Sequence, residues 1–92
     1  MRITAELSLY PLQDDPIPVI LEFIRGLDGR GGVEIVVNQM STQICGELND
    51  VTGCIHAALR RSFAEGGAQA LIVKYLNSDL PIGEAPDLDD AH

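Results

Sequence analysis

Residues 33–48 read VEIVVNQMSTQICGEL. VEIVV (Val33 to Val37) is a short β-branched run, STQICGEL (Ser41 to Leu48) is a second extended run, and Asn38-Gln39-Met40 between them supplies a turn or bulge. Two strands in direct succession therefore occupy the middle of the chain, and helical patterns flank them. Upstream, Ile17, Ile20, Leu21, Ile24 and Leu27 recur at helical spacing. Asp15-Pro16 precedes them, an N-cap followed by a proline suited to the first helical position. The glycine-rich Asp28-Gly29-Arg30-Gly31-Gly32 stops that helix. Downstream, Asn49 or Asp50 is the expected cap of a second helix, with Val51, Ile55, Ala58, Leu59 and Phe63 as its apolar stripe. Arg60 and Arg61 point outward, and Gly66-Gly67 ends it.

The outermost segments are again extended. RITAELSLY (residues 2–10) alternates Ile3, Ala5, Leu7 and Leu9 with Thr4, Glu6, Ser8 and Tyr10, the period of a half-buried strand. AQALIVKYL (residues 68–76) closes the pattern. The order βαββαβ at this length predicts an α+β, ferredoxin-like sandwich: four antiparallel strands in order 4-1-3-2 with both helices on one face. The domain is expected to span residues 1–77, leaving 78–92 as a tail.

Composition narrows the function. The chain has 92 residues, too few for two cores, with 6 Lys and Arg against 14 Asp and Glu and a net charge of -8. Such a chain lacks the clustered bases that neutralise nucleic-acid phosphates, and an anionic membrane repels it. The tail SDLPIGEAPDLDDAH holds Asp79, Glu84, Asp87, Asp89 and Asp90 and no base, so it is expected to be solvated and disordered. No apolar run reaches the roughly 18 residues of a membrane span, and MRITAELSLY lacks a signal-peptide core. A cytoplasmic location with Cys45 and Cys54 reduced is expected. Their spacing fits no zinc pattern, so no metal is expected.

Signals for catalysis are absent from the pattern. His56 falls mid-helix and His92 in the tail, and neither is placed by sequence beside a nucleophile. Acylphosphatases share this fold and size, but the loop YPLQDDP (residues 10–16) is acidic where a phosphate cradle needs bases and backbone N–H groups.

The open face of the sheet is more informative. With Ile3, Ala5, Leu7 and Leu9 facing the helices, Thr4, Glu6, Ser8 and Tyr10 point away. With Ile44 in the core, Ser41, Gln43, Cys45 and Glu47 do the same. In the last strand Leu71, Val73 and Tyr75 suit the core, which sends Ile72, Lys74 and Leu76 outward beside Glu6. A bulge near Gln39 would exchange Thr42 and Gln43 between faces. This mixed surface suits a polar-rich oligomer interface or a small-ligand site, and the two are compatible.

Two stretches carry a resemblance. Ala5-Glu6-Leu7-Ser8-Leu9-Tyr10-Pro11-Leu12 and Met40-Ser41-Thr42-Gln43-Ile44-Cys45-Gly46-Glu47 resemble the signatures of the YkoF-like proteins and of related single-domain thiamine-binding proteins. The likeness covers residues 3 to about 77; Cys45 and the acidic tail stand outside it. It implies a ferredoxin-like, non-enzymatic protein that binds thiamine or its hydroxymethylpyrimidine moiety, without a further cofactor, as a homodimer or homotetramer. The implied ligand chemistry suits these residues. A cationic thiazolium wants a carboxylate or an aromatic face, which Glu6, Glu47 and Tyr10 offer. An aminopyrimidine both donates and accepts, which Ser8, Ser41, Thr42 and Gln43 can match. Plainer roles stand beside these: Tyr10 capping the sheet end, Thr42 facing the helices, Glu6 pairing with Lys74. The alternative function is an oligomeric interaction module with no pyrimidine ligand.

Overall fold

The structure is a computed structural model describing residues 1–28, 31–65 and 67–88. Its elements are β1 (Arg2–Pro11), α1 (Ile17–Asp28), β2 (Val33–Val37), β3 (Thr42–Glu47), α2 (Leu48–Glu65) and β4 (Gln69–Leu76). All strand pairs are antiparallel and the sheet order is β2-β3-β1-β4, as the βαββαβ pattern predicts for a ferredoxin-like fold. The helices pack on each other and on the central strands, α1 on β1 and α2 on β1 and β3.

Alternation decides which side chains form the core. Ile3, Ala5 and Leu7 of β1 and Ile44 of β3 meet Phe23 and Leu27 of α1 and Val51, Cys54, Ile55 and Ala58 of α2, all buried. Leu9, Val33, Ile35, Leu71 and Val73 pack around them. Register puts Ile35 opposite Ile44 and Ile44 opposite Ala5, so one apolar row crosses three strands.

Several helix details differ from the sequence expectation. In α1, Ile17 and Leu21 are exposed and Phe23 is core, because the helix lies on β1 and α2 with its inward face centred one step round. Pro16, not Asp15, provides the capping carbonyl: Ile20 N–H donates to Pro16 O at 3.2 Å. The second helix needs no capping loop. It starts at Leu48, directly after β3, and the Leu48 N–H donates to Met1 O at 2.9 Å, so Asn49 and Asp50 lie within its first turn. The buried face of α2 includes Cys54 and ends at Ala58, leaving Phe63 exposed. Tyr75 shares the register of Ala5 yet is half exposed, since β4 is an edge strand. Of the expected helix stops, Gly29, Arg30 and Gly66 lie outside the described residues, as do Asp89, Asp90 and His92 of the tail.

Two glycines are required where the end of β3 runs beside the turn that precedes β2. Gly32 has φ +83°, a conformation that side chains disfavour. Gly46 faces it so closely that an added Cβ would lie 2.8 Å from the Gly32 carbonyl oxygen. At the far end of α1, the Cys54 thiol donates to Leu27 O at 3.2 Å, satisfying one of the helix's last carbonyls. Neither Cys45 nor Cys54 is in a disulfide, and both are buried. No helix among the described residues is long and apolar enough to cross a membrane.

Candidate functional site

The face of the sheet away from the helices is built by the second half of each alternation. Glu6 sits at its centre, opposite Gln43 on one side and Lys74 on the other. Its Oε1 lies 3.2 Å from Lys74 Nζ, and its Oε2 accepts from the Ser41 hydroxyl at 3.2 Å. Hydrogen bonding from Lys74, then from Ser41, holds the Glu6 carboxyl below its ordinary value of 4.5. Lys74 itself is mostly exposed, so this ion pair is a weak surface pair, worth at most about 1 kcal/mol.

One strand position along, three side chains hold the chain that follows β4. The Thr4 hydroxyl donates to Ser78 O at 2.8 Å and accepts from Leu80 N–H at 2.9 Å. Arg2 Nε donates to Asp79 Oδ2 at 2.9 Å, and the Cys45 thiol donates to Asp79 Oδ1 at 2.7 Å. Burial, reinforced by the Asp79 carboxylate, pushes the Cys45 thiol above its ordinary value of 9.0, so the sulfur keeps the proton it donates. Asp79 is correspondingly held below 3.8, by the Cys45 hydrogen bond first and the Arg2 one second. Residues 78–88 thus do not run free as the acid-rich composition suggests. They turn back over the sheet, and Gly83 comes close enough to Glu34 of β2 that a Cβ there would lie 2.8 Å from Glu34 Oε1. Short hydrogen bonds from Ile82 N to Leu80 O and from Glu84 N to Pro81 O, 2.9 and 3.0 Å, shape the return.

Between this segment and the sheet is a cleft of about 1010 Å³. The sheet side of its lining includes Thr4, Glu6, Gln43 and Lys74, with Asn38 toward one edge of the sheet and Tyr75 and Leu76 on the other, and its outer wall is Leu80, Pro81, Ile82 and the run from Glu84 to Asp87. A smaller pocket of about 130 Å³ lies at the other end of β1, against α1 and the β2–β3 turn, and includes Ser8, Tyr10, Asn38, Met40, Ser41 and Thr42.

The seven residues singled out by sequence are therefore divided. Glu6 and Gln43 line the large cleft; Ser8, Tyr10, Ser41 and Thr42 line the small pocket; the Ser41–Glu6 hydrogen bond joins the two groups. Thr42 faces the helices, opposite Leu7 and Val37, and is buried. Tyr10 is half exposed. Glu47 lies with neither group: it is opposite Arg2 and pairs with the Met1 amine at 3.0 Å. Sequence reasoning passed over Thr4, Asp79 and the wall from Leu80 to Asp87. The signal for the wall was present, since Leu80, Pro81, Ile82 and Pro86 interrupt the acids with apolar and stiff residues at odds with a freely solvated run. Among the described residues, no group of three or more His, Cys, Asp or Glu is placed to hold a metal ion.

The model of the YKOF-related family matches residues 2–74. No curated protein matches the chain. Among solved structures, a Streptococcus pneumoniae protein is similar at 26% identity, covering 87% of this chain and 90% of its own, with a TM-score of 0.79. A candidate thiamine biosynthesis/salvage protein from Thermotoga maritima superposes over 97% of this chain and 94% of its own, at 16% identity and a TM-score of 0.73. A domain of unknown function from Bacillus cereus covers 86% and 78%, at 20% identity and a TM-score of 0.72. The last two likenesses are of fold.

Proposed function

Because the chain belongs to the YKOF-related family, we propose that it binds thiamine, or the hydroxymethylpyrimidine part of it, in the open-face cleft and does no chemistry on it. The observation that carries this reading is Glu6. A carboxylate kept ionised at the centre of a roomy cleft is a receptor for an organic cation. Its present partner, Lys74, is solvent-exposed and weakly held, so a cationic ring can take the ammonium's place at little cost. Gln43 and Ser41 stand beside Glu6 with both donors and acceptors, as an aminopyrimidine edge requires. The likeness to the Thermotoga maritima thiamine biosynthesis/salvage candidate supports the same reading.

A second reading, self-association through this face and its edges, is favoured by Ile72, Tyr75 and Leu76, which are 56%, 51% and 44% exposed. A homodimer or homotetramer accommodates both readings.

Thermal unfolding with thiamine, hydroxymethylpyrimidine and inorganic phosphate tests the proposal. Ligand at about 100 times its Kd adds about 2.7 kcal/mol, which raises Tm by about 10 °C or more in a domain of this size. A rise with thiamine or its pyrimidine, and none with phosphate, is expected. A flat response to all three at millimolar concentration removes the thiamine reading and leaves the interaction module, which analytical ultracentrifugation then examines.

A further inference from the structure

We propose that the segment after β4 is the specificity wall of the cleft: residues 80–87, latched at 78–80, close over the ligand, and Glu84 on that wall selects the bare cation against its phosphate esters. The inference rests on the thiamine reading and extends it to a stretch beyond the family match, which ends at residue 74.

The latch is built, not incidental. Three neighbouring open-face side chains converge on three consecutive residues: Arg2 and Cys45 on Asp79, and Thr4 on both Ser78 and Leu80. Thr4 is only 6% exposed although it lies on the face without helices, so the returning segment supplies its cover. Beyond the latch the chain is stiffened by Pro81 and Pro86 and folded by the two short turns, which fixes its path opposite Glu6.

The charges lining the cleft are Glu6 and Lys74 on the floor and Glu84 and Asp87 on the wall. Lys74 is already matched by Glu6 at 3.2 Å. Three formal carboxylates against one ammonium leave the lining acidic whichever of them Lys74 meets, and Glu84 is brought to it by the returning segment. A thiazolium gains from both walls. A phosphate monoester brings about one and a half to two negative charges into the same space, against acids and with one shared lysine. Discrimination then comes from repulsion built on the wall as much as from attraction on the floor.

Calorimetry and amide hydrogen exchange on the full chain test this, with thiamine and thiamine monophosphate as probes and Glu84→Gln as the variant, an exposed change that leaves the fold intact. Thiamine is expected to slow exchange at Leu80 and at residues 82–85. Glu84→Gln is expected to weaken thiamine about fivefold while weakening the monophosphate less or strengthening it. Thr4→Val, which frees the latch, is expected to weaken both probes together. If the wild-type chain binds thiamine but protection is confined to residues 8–10 and 38–42, or the thiamine-to-monophosphate ratio is unmoved in Glu84→Gln, the wall inference is overturned and the thiamine reading stands. If the wild-type chain binds neither probe nor hydroxymethylpyrimidine, the thiamine reading falls, and the wall with it.

Discussion

The Thr4 hydroxyl gives one hydrogen bond and takes another, and both partners belong to the segment it holds down. Thr4→Val keeps the volume and removes both. We expect a loss of about 1–3 kcal/mol in urea unfolding if the segment stays in place, from a buried N–H and C=O left unpaired, and less if it lifts into water. Glu6→Gln keeps shape and removes charge; thiamine affinity is expected to fall about tenfold by calorimetry, with Tm of the free protein nearly unchanged because the Lys74 pair is exposed. Titration adds a pH profile. Glu6 and Asp79 are held below their ordinary 4.5 and 3.8, so their contributions are in force above those values and are lost as pH falls through the lower folded-state ones. Cys45 is held above 9.0, so its contribution is complete below that value and is lost as pH rises beyond it. Stability measured by denaturant should form a plateau between about pH 5 and 8 and decline on both sides.

Among the elements, strands were the most legible. Period-two alternation in β1 names Ile3, Ala5 and Leu7 as inward, and it places Glu6 beside Lys74 of β4, where the register has it. Helix faces were less so. α1 carries apolar residues around much of its circumference, so Ile17 and Leu21 fit a stripe as well as Phe23 does, and only the docking of α1 on β1 and α2 decides between them. The passage from β3 straight into α2 was hidden because Asn49 and Asp50 look like caps, while the first helical N–H is satisfied from afar by Met1 O. Gly46 at this junction carries a prediction of its own. Gly46→Ala forces a methyl group against the Gly32 carbonyl, backbone that cannot rotate aside, and is expected to cost about 1–3 kcal/mol in denaturant unfolding. The same change at Gly53, where nothing lies within 4 Å, should be neutral or stabilising, since it replaces a helical glycine.

For the molecule as a whole, the sandwich was open to inference from pattern, but the path of the chain after β4 was not. Composition assigns residues 78–92 to solvent because five acids dominate it, whereas residues 78–88 acquire their place through long-range partners at sequence separations of 76 and 77 that no local pattern contains. The candidate site inherits the same division: its floor lies within the matched family region and its wall outside it. A chain of net charge -8 that captures a cation does so partly through its overall field. Thiamine binding is therefore expected to weaken as salt rises from 0.01 to 0.5 M, with most of the change in the association rate.

The thiol beneath Asp79 turns the protein into a clock for its own opening. Cys45 is 2% exposed and lies under the latch, while Cys54 is 1% exposed within the helix-facing core. An alkylating reagent reaches the first whenever the segment lifts and the second only when the domain unfolds. Labelling should therefore proceed in two separated phases resolved by mass spectrometry. The fast phase counts excursions of the wall, quickens in Thr4→Val and slows when a ligand is held beneath it, so the breathing of the cleft is read out through a side chain the protein already carries.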